Sequence, residues 1–157
     1  MKNMPRSNMY SASAADVWDL FCDYVEGNPS AIVLAVNSES LGDLSRNALA
    51  KSFESFGYGR NACAFASLVP RSDEEPALDA QALFMLIEGL DPVFLVCADD
   101  AAAIVVEAAY RTSLKRDAAA RVFGRPAVVF RSLDQLMESP EGKQKAWAVL
   151  KSFPRRG

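Results

Sequence analysis

The chain has 157 residues, of which 50% are hydrophobic and 24% charged, and a formal net charge of -3. That length supplies one ordinary domain burying roughly 70% of the surface its unfolded form exposes, and that composition excludes intrinsic disorder. Histidine is absent, which removes Ser-His-Asp, Cys-His and zinc-imidazole chemistry, because no other side chain titrates unperturbed near neutral pH.

Residues 1–10 are expected to lack fixed structure. Ser13-Ala14-Ala15-Asp16 has the spacing of a capping box, and Val17, Leu20, Phe21, Tyr24 and Val25 then recur at i, i+3, i+4, i+7 and i+8. This pattern predicts an amphipathic helix ending near Gly27. Asn28-Pro29-Ser30 turns the chain into Ala31–Val36, an aliphatic run without alternation, as a central strand buried on both faces requires. The run stops on Asn37-Ser38-Glu39-Ser40, and Ser40 or Asp43 is placed to cap a helix whose Leu49, Ser52, Phe53 and Phe56 share a face. Gly57 and Gly59 end it. Asn61–Val69 reads as a second strand, closed by Pro70 and followed by an acidic loop that is too polar and Pro-punctuated to form an element.

Leu83, Phe84, Ile87 and Leu90 keep helical spacing within Leu78–Leu90, and a third strand, Val93–Ala98, follows and stops on Asp99-Asp100. Ala101–Leu114 is an Ala-rich helix with Arg111, Lys115 and Arg116 toward the negative end of its dipole. The fourth strand lies in Arg121–Phe130, where Gly124 and Pro126 precede Ala127–Phe130. Ser132-Leu133-Asp134-Gln135 is placed as a second cap, and Ser139-Pro140 starts the last helix, with Ala146, Val149, Leu150 and Phe153 on one face. The order α-β-α-β-α-β-α-β-α-α predicts a single α/β domain over residues 1–157. Its expected architecture is a three-layer α/β/α sandwich around a four-stranded, mostly parallel sheet of order 2-1-3-4.

Ligands of open parallel sheets collect at the carboxyl ends of strands where strand order reverses. The junctions after the first and third strands therefore make Asn37, Ser38, Glu39, Asp99 and Asp100 the candidate ligand-binding residues, with helix capping as the competing role for the two aspartates. No catalytic residue, metal or cofactor is assigned. Cys22, Cys63 and Cys97 each fall in an apolar helix or strand without close spacing, the pattern of buried, reduced thiols rather than a disulfide or zinc site. Charge is uneven: residues 1–100 hold six Lys or Arg against fifteen Asp or Glu, while residues 101–157 hold eleven against five. The basic end makes Arg125, Arg131, Lys143, Lys145, Lys151 and Trp147 candidates for contact with nucleic acid or a partner, through phosphate contacts and aromatic stacking. No apolar stretch approaches the roughly 18 residues of a membrane span, and residues 1–9 lack a signal-peptide core, so a cytoplasmic protein without membrane contact is expected.

The element order, with a crevice after the first strand and a polar break after the third, resembles the uracil-DNA glycosylase fold. That family carries a Gly-x-Asp/Glu/Asn-Pro type loop after the first strand and a His-Pro-Ser type loop after the fourth. Here those positions read Asn37-Ser38-Glu39-Ser40 and Arg131-Ser132-Leu133, so the resemblance implies a member without glycosylase activity. The segment from Arg131 through Asp134, Met137, Pro140 and Lys143 to Trp147 is similar to the end of the psi subunits of bacterial DNA polymerase III. Those are catalytically silent adaptors of the same fold. The expectation is a non-enzymatic binding or adaptor domain with a protein partner, in DNA replication or repair. Two alternatives stay open: an enzyme acting on a small molecule or nucleotide at the strand-end crevice, and a direct single-stranded nucleic-acid binder. Oligomeric state is left open.

Overall fold

The computed structural model describes residues 14–156. The expectations for residues 1–10, and the capping role of Ser13, lie outside the described residues. Residues 14–20 are helical (α1), and the chain then continues through β1 (Val25–Gly27), β2 (Val33–Asn37), α2 (Asp43–Ser55), β3 (Cys63–Ser67), α3 (Ala80–Leu90) and β4 (Phe94–Cys97). It closes with α4 (Asp100–Tyr110), β5 (Ala118–Val122), β6 (Arg125–Val129), α5 (Leu133–Leu136) and α6 (Pro140–Leu150).

The predicted four-stranded sheet is a mixed sheet of six, in the order β1-β3-β2-β4-β6-β5. Its four central strands are parallel, with Val33 opposite Cys63 and Phe94, and Leu95 opposite Ala127. The two strands absent from the prediction are the antiparallel edges, β1 on β3 and β5 on β6. Tyr24 and Val25 therefore leave helical spacing: the helix stops before residue 21, and Val25 pairs with Ala66 instead. β5 was hidden by composition, because Ala118-Ala119-Ala120 has the highest helix propensity of any residue type. Pairing overrides that preference through a two-residue hairpin, in which Phe123 (φ 54°) and Gly124 (φ 88°) both take the positive φ that matches strand twist.

Alternation along the buried strands divides the core in two. Leu34, Val36, Leu95, Cys97 and Val129 face the layer containing α3 and α4. Val33, Ala35, Val96 and Val128 face α2, α5 and α6. Helices thus cover both faces of the sheet, which is why the central strands carry no polar alternation.

Two of the expected caps form: Ser132 accepts from the Gln135 N–H at 3.2 Å and Ser139 from the Gly142 N–H at 3.0 Å. Helix α2 is capped differently. Neither Ser40 nor Asp43 serves its amino end; Asp134, far along the chain, accepts from the Gly42 N–H at 3.1 Å and from the Ser45 hydroxyl at 2.5 Å. That carboxylate ties α2 to the α5 corner.

The cysteines divide as well. Cys63 and Cys97 are buried as expected, and desolvation pushes both thiols up to about 12. Cys22 is exposed, because the helix ends before it and the turn leaves it outside the core. With a disulfide-exchange reagent at neutral pH, only Cys22 should react while the protein is folded, and Cys63 and Cys97 should appear at the rate of unfolding. Rapid modification of Cys97 in the folded protein would contradict this burial.

Candidate functional site

β2 and β4 are neighbours, so the two predicted junctions do converge. Asp99 reaches Ser38, accepting from its hydroxyl at 2.5 Å and its N–H at 3.2 Å, and also accepts from the Ala102 N–H at 2.9 Å. It therefore caps α4 and pins the loop after β2 at once. Asn37 is buried and donates from its side chain to the Glu39 carbonyl at 2.9 Å, while Glu39 itself is exposed. Asp100 pairs with Arg116 at 2.6 Å, and Arg116 also binds Glu107 at 3.1 Å. Helix α5 closes the remaining side, with Ser132 bridged to Asp99 and the Leu133 N–H donating to the Ala98 carbonyl at 2.8 Å. Across the two junctions the contact is between Ser38 and Asp99; Asn37 donates within its own loop, Asp100 turns to Arg116, and Glu39 faces solvent. No cluster of three or more metal-ligating side chains occurs among the described residues.

The basic candidates do not form one surface. Arg125 is 10% exposed and engages Glu88 at 2.7 Å, Asp91 at 3.0 Å and the Pro92 carbonyl at 3.0 Å. Burial alone would raise the Glu88 carboxyl, but hydrogen bonds from Arg125 and Tyr110 outweigh it and hold the group below its usual range. The bond from Arg116, helped by the Leu114 N–H, lowers Glu107 likewise. Because both folded-state values are depressed, these groups stabilise fully above the unfolded glutamate value of about 4.3, and the contribution is lost as pH falls through the folded values. The melting temperature should drop on acidification below that point, and Glu88→Gln should flatten the drop. An unchanged acid slope in the variant would refute the assignment.

Arg131 and Lys145 line a cleft of about 360 Å³ beside Asp117, Glu138 and Glu141, so its field is mixed. Lys151 is exposed at the carboxyl cap of α6. Lys143 and Trp147 lie elsewhere, on a groove of about 390 Å³ between α2 and α6, with α5 at one end. Its walls are Leu44, Asn47, Ala48 and Lys51 of α2 and Lys143, Ala146, Trp147 and Leu150 of α6, while Leu133 and Met137 close the end. Leu44 is 63% exposed and Trp147 38%. The inner face of Trp147 lies 5.3 Å from the Phe56 ring, which is covered in turn by the Arg155 guanidinium at 3.9 Å. The indole is thereby backed by buried structure on one side and open on the other.

No protein-family model matches this chain, and no curated protein matches it.

Sequence reasoning reached one wall of this groove, through Lys143 and Trp147, and missed the other. The signal for the second wall was present: Leu44 stands on α2 opposite Leu49 and Phe53, a large apolar side chain on the face turned from the sheet. No helix among the described residues is long and apolar enough to cross a membrane.

Proposed function

We propose that the chain is a non-enzymatic binding domain, an adaptor of the uracil-DNA-glycosylase-like type acting in DNA replication or repair. The observation that carries the reading is the contrast between two places. At the strand ends, Asp99 is committed to Ser38 and to the first turn of α4. Between α2 and α6 lies an open, largely apolar groove in which Trp147 packs against the Phe56 ring. Buried-edge aromatics of this kind are the side chains that dominate protein interfaces, and an exposed apolar patch bounded by polar groups marks an interaction surface. The parallel order β3-β2-β4-β6 and the loops Asn37-Ser38-Glu39-Ser40 and Arg131-Ser132-Leu133 support the fold resemblance and its catalytic silence.

The test is capture from native lysate with the wild-type chain and with Leu44→Asp, a change at an exposed position. Replication or repair proteins should be recovered by the first and lost with the second. Repeated recovery of none would overturn the reading. Fluorescence anisotropy on single-stranded DNA across a salt series separates the rival: steep, salt-sensitive affinity would move the function onto nucleic acid.

A further inference from the structure

We infer that the groove between α2 and α6 takes an amphipathic helix bearing carboxylates beside its apolar ridge, supplied by another protein. The inference rests on the binding-domain reading and names the chemistry of the occupant. Shape is the first argument. Leu44, Ala48 and Lys51 repeat on α2 at i, i+4 and i+7, as Lys143, Trp147 and Leu150 do on α6. Two helices presenting such stripes to one groove leave between them a space that the ridge of a third helix fills.

Charge is the second argument. Among the residues lining the groove, the charged ones are Lys51 and Lys143, both cationic. Like the other lysines, neither makes an ion pair among the described residues, and the groove lining holds no acid to offset them. Two unpaired ammonium groups flanking an apolar floor are complemented by carboxylates flanking an apolar ridge, which fixes register and rejects wrong partners. The chain's own first thirteen residues do not meet this requirement, because they carry Lys2 and Arg6 and no acid. A nucleic-acid backbone is a poorer match: between the two lysines the lining is mainly apolar, with Leu44, Ala48, Leu133, Met137 and Ala146, and offers a run of phosphates few donors.

The deciding experiment selects from a displayed library of random peptides a few helical turns long against the folded full chain. Bound sequences are then tested against Leu44→Asp and against the double charge reversal Lys51→Glu with Lys143→Glu. All three positions are exposed or line the groove rim, and circular dichroism melting checks that the variants fold. The expected winners carry Leu or aromatic residues at i, i+3 or i+4 and i+7 with Asp or Glu alongside. They should bind the charge-reversed double variant about tenfold more weakly, a loss that two partly exposed ion pairs supply. Winners that are neutral or basic but still need Leu44 would leave the binding groove standing and overturn the acidic occupant. Winners indifferent to Leu44 would overturn the groove and the occupant together. Self-association of the chain that disappears on charge reversal would overturn the separate partner, since the occupant would then be a second copy.

Discussion

Phe53→Ala should lower the stability of the folded chain by about 4 kcal/mol, the range found when a fully buried aromatic is truncated to Ala. Phe53 has no solvent exposure. Its ring lies 5.6 Å from Phe56, 6.1 Å from Phe94 and 5.3 Å from Phe153, so it joins α2 to the central strand β4 and to the segment beyond α6. Neighbours held by the sheet on one side and by helix α2 and the segment after α6 on the other limit collapse into the space the ring leaves, which keeps the cost from falling to the low end of that range. Chemical denaturation should show the midpoint falling with little change in slope. Phe53→Leu, which keeps most of the volume, should cost about 1.5 kcal/mol or less. A Phe53→Ala loss no larger than that of the Leu variant would mean that α2 is not anchored through this ring. Since α2 forms one wall of the groove, peptide binding should weaken in the Ala variant at temperatures where it is still folded.

Strand and helix identity were legible where local chemistry and tertiary demand agree. Ala31–Val36 and Val93–Ala98 are aliphatic without alternation, and both are central strands because only burial on two faces tolerates that pattern. Legibility failed where a distant partner decides. Ala118–Val122 has helical composition and becomes a strand because β6 offers it an edge and Phe123-Gly124 a tight turn. The cap of α2 comes from Asp134, which no local window around Gly42 contains. The adjacency of β2 and β4 was legible, yet the engagement of Ser38 with Asp99 was not: the two had to be seen at hydrogen-bond distance before the capping role of Asp99 was evident. The groove shows the same limit. Trp147 stood out in the sequence as off the apolar stripe of its helix, but Lys51 and Leu44 acquire meaning only when α2 is laid beside α6.

Gly142→Ala gives the other large effect, and its sign runs against local expectation. Within a helix, Ala in place of Gly should add about 1 kcal/mol of stability. Gly142 sits in the first turn of α6, buried, where a Cβ would lie 2.1 Å from the Leu136 carbonyl oxygen and 2.8 Å from its carbon. Both are backbone atoms, so no rotamer change relieves the overlap; α5 and α6 would have to separate. That displacement should convert the local gain into a net loss of about 3 kcal/mol, the upper part of the usual cost of overpacking. Gln144→Ala, an exposed change two residues on, should stay within about 0.5 kcal/mol and serves as the control for helix propensity. The consequence reaches the groove, because Leu133 and Met137 close its end from the same corner and Asp134 ties that corner to α2. Thermal unfolding and peptide binding should therefore fall together in Gly142→Ala, whereas charge reversal at Lys51 and Lys143 should weaken binding and leave stability in place. A rise in melting temperature for Gly142→Ala would show that the α5–α6 corner has room for a methyl group and that its close approach does not position the groove.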